Sequence, residues 1–126
     1  MRRDLRLQIR KSKVKSEADE QFTIKLNSLS SSITQLLNDF KFGLALDTLY
    51  NEFWHWYCDE CIEANKVGKL SQTSLIQGLI VFLKLLHPFI PFTTEAIWQE
   101  LRASHKDILD SELLMVSPWP KSAHQE

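Results

Sequence analysis

Cys58 and Cys61 are the only cysteines of the chain, spaced as Cys-Asp-Glu-Cys, with His55 three residues before the first. On a helix these side chains share one face, and thiolate with imidazole is a donor set that zinc accepts. A closed structural zinc site takes a full tetrahedral set, and the sequence holds no second cysteine pair to complete it. Small cysteines among aromatics more often fill a core. A thioredoxin-like redox role needs the motif beside a strand-helix pattern, which is missing here. Glu52-Phe-Trp-His55 matches the E-x-x-H unit of di-iron bundles, which use two such units and two further glutamates facing inward. The comparable histidine, His87, has Lys84 where the acid would stand. These residues therefore read as packing or surface groups, with no metal site.

Nucleophilic and phosphate-binding chemistry find no better support. No Gly-x-Ser-x-Gly elbow is present, and no strand-turn-helix unit exists to hold one. Gly43, Gly68 and Gly78 are isolated, so they build no glycine-rich phosphate loop. The carboxylates are scattered along helical faces and read as solvation, without an acid/base pair. No catalytic residue is assigned. The aromatic run Phe53, Trp54, Trp56 and Tyr57 could stack on unpaired bases, but helical spacing claims most of it for a core. Trp54, Tyr57 or Trp119 is expected to keep some exposure.

The elements that position these groups follow from the apolar spacing. Phe22, Leu26, Leu29, Ile33, Leu36, Leu37 and Phe40 fall at steps of three and four, the stripe of a first helix. It begins near residues 16–19, with Ser16 or Asp19 as cap. A turn at 41–43 leads to a second helix over roughly 42–65. Phe42, Leu46, Leu49, Phe53 and Trp56 make one seam of it, and Tyr50, Trp54, Tyr57 and Cys61 another. Gly68 is placed to end it in the left-handed conformation. Ser71 or Thr73 caps a third helix that runs to about His87, where Pro88 stops it. It carries the seams Leu75, Leu79, Phe82, Leu86 and Ile76, Ile80, Leu83. Pro91 opens a fourth helix over 91–103, expected to bury Phe92, Ile97, Trp98 and Leu101. Leu113–Val116 should fold back on the bundle, and Pro118-Trp119-Pro120 reads as an extended end. Short connections favour an all-α, antiparallel four-helix bundle.

Composition agrees. Of the 126 residues, 44% are hydrophobic, enough for one domain with a real core. Charge is divided unevenly. Residues 1–15 hold seven Lys/Arg against Asp4 alone, a net +6, and the rest hold eight Lys/Arg against fifteen Asp/Glu, a net −7. Residues 1–17 read as a flexible basic arm, 18–120 as the bundle and 121–126 as a flexible tail. Such an arm suits phosphate or solvent alike. No apolar run is long enough to cross a bilayer, and the N-terminus lacks the apolar core of a secretory signal. Cytoplasm is the expected compartment.

Three stretches carry a resemblance. They are Tyr50-Asn-Glu-Phe-Trp-His-Trp-Tyr57, Leu86-His-Pro-Phe-Ile-Pro-Phe-Thr-Thr-Glu-Ala-Ile-Trp98 and Leu114-Met-Val-Ser-Pro-Trp-Pro120. In this order they resemble the anticodon-binding domain of class I aminoacyl-tRNA synthetases of the valine, isoleucine and leucine group, nearest its valyl branch. Lys41-Phe42 leading into Ala45 resembles the family's first helix-helix turn. The likeness covers about residues 19–120. His55 departs from it, standing where the family often has an acid, and the loop at 65–72 is short.

The resemblance implies a bundle that grips the anticodon arm of valine transfer RNA and works with the remaining domains of a synthetase. Valine activation, with its ATP and magnesium, would belong to a nucleotide-binding domain whose HIGH-type and KMSKS-type signatures are not found here. This chain itself would need no cofactor. On charge alone, Lys25, Lys41, Lys66, Lys69, Arg102 and Lys106 are the candidates for RNA phosphates. The alternative is a stand-alone helical protein-interaction module, motivated by the acidic body.

Overall fold

The computed structural model of the chain describes residues 17–120. The arm and tail assigned to the two ends lie almost wholly outside them. Four helices and no strand are found among the described residues.

Helix α1 spans Glu17–Asn38, with Glu17, Asp19 and Glu20 in its first turn, where the helix dipole favours negative charge. Its stripe is buried as the spacing predicts at Phe22, Leu26, Leu29 and Ile33, but Phe40, beyond the helix end, is exposed. Ser16, one of the two cap candidates, lies outside the described residues, and Asp19 reaches beyond its own helix. Its carboxylate is buried and accepts the Ser71 N–H at 3.0 Å and the Ser74 hydroxyl at 2.8 Å. It thus satisfies donors at the start of α3, fifty residues on, together with the Ser71 cap.

Helix α2 is one rod in three stretches, α-helical over Phe42–Asn51, π-helical over Glu52–Cys61 and α-helical over Ile62–Lys66, with αR dihedrals at both junctions. The wide register is seen directly where the Ile62 N–H bonds to the Tyr57 carbonyl, five residues back. Alternating steps of three and four do not reveal such a segment, and the spacing predicted an ordinary α-helix. Trp56 and Cys61, five apart, line the same cavity. A turn of 3.6 residues would point them well away from each other.

Gly68, at φ 82, ends α2 as expected. Its N–H bonds to the Asn65 carbonyl, and the Lys69 N–H bonds to the Ala64 carbonyl, the paired bonds of a Schellman turn. Helix α3 spans Gln72–Leu86, with the Ser71 Oγ accepting the Ser74 N–H at 3.1 Å. Helix α4 spans Pro91–His105, with proline in its first turn. A 3₁₀ turn over Leu114–Val116 follows, and Leu114 alone of its apolar run is fully buried.

Two clusters form the interior. The larger joins α1, α2 and α3 through Phe22, Trp56, Tyr57 and Phe82. Phe22 stacks on Trp56 at 5.2 Å, and Phe53 stacks on Tyr57 at 5.6 Å. The smaller joins α3, α4 and the 3₁₀ turn through Ile80, Leu83, Trp98 and Leu114. Trp98 is fully buried and its indole N–H reaches the Ser111 carbonyl at 3.2 Å. Trp119 returns to α1, its indole N–H donating to Thr34 Oγ1 at 2.8 Å.

Several residues predicted to be buried are not. Phe92 and Ile97 are 91% and 38% exposed, because α4 packs mainly on α3 and the 3₁₀ turn, on its other side. Its covered face is that of Thr94, Trp98 and Leu101. Phe42, Leu46, Tyr50 and Trp54 are also exposed, whereas Ala45 and Leu49 on the opposite side of the same stretch are fully buried. No described element covers that second face.

Gly78 sets the closest approach in the large cluster. A methyl group there would stand 2.6 Å from Phe22 Cζ and 2.9 Å from Tyr57 Cε1. Helix propensity alone favours Gly78→Ala by about 1 kcal/mol, whereas overpacking a core costs about 1–3 kcal/mol. The rings are held by their stacked neighbours, so Gly78→Ala is expected to lower stability by about 1 kcal/mol or more. A lower urea midpoint at unchanged slope checks this.

Candidate nucleic-acid interface

The six basic residues chosen on charge do not form a single cluster. Lys25 lies on α1, its Nζ 3.4 Å from Glu52 and 4.7 Å from the centre of the Trp56 ring. It covers the aromatic cluster as well as carrying charge. Lys41 stands at the turn into α2 and is exposed. Lys66 and Lys69 share the turn that ends α2, with Lys66 pairing to Glu63 at 3.2 Å. Arg102 and Lys106 are one turn apart at the end of α4, and Arg102 lies 3.4 Å from Glu112. Lys41, Lys69 and Lys106 have no ion pair among the described residues. Exposed pairs such as Lys66–Glu63 are worth little and leave the ammonium free to exchange partners.

Lys84 is held differently. It is 12% exposed and its Nζ lies 2.6 Å from the Asp110 carboxylate. It ties the loop after α4 to α3 and is spent on structure.

Of the groups weighed for metal or nucleophilic chemistry, Cys61 is buried in the large aromatic cluster and Cys58 packs against it. Among the described residues no three His, Cys, Asp or Glu side chains converge on a metal-sized site. His55 is exposed, with Nδ1 3.9 Å from Asp59. Burial pushes the Cys61 thiol up to about 11, with Glu60 adding to the shift and Lys25 opposing it, and it raises Cys58 as well. Both sulfurs stay protonated at neutral pH, the inert form. Burial also raises the Tyr57 phenol, which donates to the Leu75 carbonyl across the α2–α3 contact.

The His-Pro-Phe-Ile-Pro-Phe-Thr stretch works as a lock between α3 and α4. His87 Nδ1 sits 2.8 Å from the hydroxyl of Thr94, which is fully buried and donates to the Ile90 carbonyl at 3.0 Å. The next residue, Glu95, accepts the Leu114 N–H at 3.1 Å. It thereby fixes the 3₁₀ turn that leads to the Pro-Trp-Pro end.

These geometries frame the comparisons with known proteins. The sequence pattern described as the anticodon-binding domain of tRNA ligase matches residues 19–126. The chain belongs to that family. Its relatives include the valine–tRNA ligase of Thermotoga maritima, 36% identical over 82% of this chain and 12% of that ligase. That of Nitratiruptor sp. is 42% identical over 69% of this chain and 10% of the ligase. That of Helicobacter pylori is 35% identical over 81% and 11%. This chain is thus homologous to the anticodon-binding region of valine–tRNA ligases and spans only 10–12% of their length.

A pH dependence follows from Glu95. Its burial works to raise the carboxyl, but the N–H groups of Leu114 and Met115, the Gln99 amide and His87 together outweigh burial and hold it below the usual value. A carboxyl depressed on folding contributes stability above its unfolded pKa, and that contribution is lost as pH falls through the folded pKa. Melting temperature should therefore fall below about pH 4.5. Glu95→Gln should lower it at neutral pH and flatten that acid limb. Parallel limbs in both proteins would show that Glu95 carries no such linkage.

Proposed function

We propose that this chain grips the anticodon arm of valine transfer RNA as part of a valine–tRNA ligase. The observation that carries the reading is the family match over residues 19–126, supported by the valine–tRNA ligases it aligns with. The chain supplies shape and charge. Valine activation, with its ATP and magnesium, belongs to other domains, and no residue here is assigned to catalysis. The setting is cytoplasmic.

In this reading residues 18–120 are an antiparallel four-helix bundle, 1–17 a basic arm and 121–126 a tail. The bonds from Asp19 at the start of α1 to Ser71 and Ser74 at the start of α3 support that order, with α2 returning between them. Such a bundle brings Lys66 and Lys69 to the same end as Arg102 and Lys106, next to the start of α1, where the basic arm joins. Phosphates are held there, and Lys25 and Lys41 contribute less. The net −7 of the chain outside residues 1–15 keeps RNA from settling elsewhere.

Filter binding of the chain to valine transfer RNA tests this. Affinity should exceed that for unrelated transfer RNAs and fall steeply with salt, each phosphate contact adding about 0.7–0.9 to the logarithmic slope. Replacing Lys66 and Lys69 with Ala should reduce the slope by up to about 2. Equal affinity for unrelated RNAs, or an unchanged slope, would count against the reading.

A further inference from the structure

The cavity shared by Trp56 and Cys61 is a groove of about 340 Å³ between the first half of α1 and the second half of α2. Phe22, Trp56, Ala64 and Leu70 give it an apolar lining. Its size is near the lower end of the roughly 300–1,000 Å³ of ligand pockets, so it takes a few side chains and not a domain. Two charged residues stand in the lining, Lys25 and Glu60. Lys25 is already engaged, 3.4 Å from Glu52 and 4.7 Å from the centre of the Trp56 ring. Glu60 is exposed and has no ion pair among the described residues. The groove thus offers apolar surface beside one uncompensated carboxylate. That combination suits a segment that is apolar on one side and basic on the other.

Such a segment precedes α1. Leu5, Leu7 and Ile9 alternate with Arg6, Gln8 and Arg10. In an extended chain a period of two puts the three apolar side chains on one side and the two guanidinium groups on the other. Residues 1–15 carry a net +6 and the rest of the chain a net −7, so the two attract in general, and Glu60 gives that attraction an address. The family pattern begins at residue 19 and does not account for these residues. Reach is ample. Ile9 is eight residues before Glu17, which allows at most about 29 Å of extended chain. On α1 the lining ends at Lys25, eight residues after Glu17, or about 12 Å along the helix. So short a tether holds the segment near the groove at an effective concentration in the millimolar range.

We propose that residues 5–10 of this chain are the occupant of the α1–α2 groove. Leu5, Leu7 and Ile9 cover Phe22 and Trp56, and the guanidinium groups of Arg6 and Arg10 meet Glu60 in charge-assisted hydrogen bonds. The same cations are the ones the arm would offer to RNA phosphates, so the groove and RNA compete for the arm. That competition rests on the RNA-binding reading above; the docking does not.

The test is zero-length coupling of lysine to carboxylate by a carbodiimide in the full chain, mapped by mass spectrometry. Lys11 adjoins Arg10, so the docked segment delivers it to Glu60. Coupling of Lys11 to Glu60 should exceed by at least fivefold its coupling to Glu20, which stands in the first turn of α1 and outside the lining. The triple substitution Leu5→Ser, Leu7→Ser and Ile9→Ser keeps every charge and should bring the two yields level. Cys61, which lines the groove, should then be alkylated at least threefold faster, whereas Cys58, which does not, should be unchanged. Equal coupling to Glu60 and Glu20 in the unaltered chain, a preference that survives the triple substitution, or an unchanged rate at Cys61 would overturn the proposal. Coupling concentrated on Asp47 would overturn it in favour of the larger apolar groove beside Leu46, Tyr50 and Trp54. Links between isotopically distinct copies would overturn it in favour of exchange between chains. For the competition, the triple variant should bind valine transfer RNA at least threefold more tightly in the filter assay, and equal affinity would refute it. A chain that binds no RNA would end the competition together with the RNA-binding reading and leave the coupling result standing, so the docking and that reading fail separately.

Discussion

The fold turns on how closely α3 approaches the aromatic rings of α1 and α2. Gly78 is buried with a Phe22 ring atom 2.6 Å from where a Cβ would sit. That absence of a side chain lets Phe22, Tyr57 and Phe82 meet, and with them Trp56 and Phe53. Hydrogen bonds then fix the helix ends around this cluster, in the Ser71 cap, the Gly68 turn and the lock from His87 to Thr94.

The π stretch of α2 belongs to the same constraint. Its wider turn brings Trp56 and Cys61 to one side while Phe53 still stacks on Tyr57. The cysteine pair sits there as small groups that finish an aromatic interface. Asp19 and Glu95 do for the turns what the rings do for the interior. Each carboxylate accepts backbone N–H groups from a distant segment, at Ser71 and Leu114 respectively. Charge-assisted bonds of this kind are worth roughly twice a neutral one.

Much of this was legible in the residue pattern. Four helices, their breaks at Gly68, Pro88 and Pro91, and the buried positions of α1 followed from spacing and turn chemistry. The family followed from three ordered stretches. Three things did not. The π register is hidden because its apolar residues also satisfy an α spacing. The partnership of Asp19 with α3 is hidden because it joins residues fifty apart. Exposure of Phe42, Leu46, Tyr50, Trp54 and Phe92 is hidden because periodicity tells which residues share a face and not whether another element covers it. Which basic residues would meet RNA is the least legible. Lysines chosen by charge alone divide into some placed at helix ends, some paired as Lys66 is with Glu63, and Lys25, which also lies over Trp56.

The claim that most needs testing is that this bundle holds the anticodon arm of a transfer RNA. Backbone cleavage of end-labelled valine transfer RNA, with the chain titrated in at low salt, reads it nucleotide by nucleotide. Protection confined to the anticodon stem and loop, and lost together as salt is raised, is the predicted result. Protection spread evenly along the molecule, or centred on the acceptor end, would contradict it.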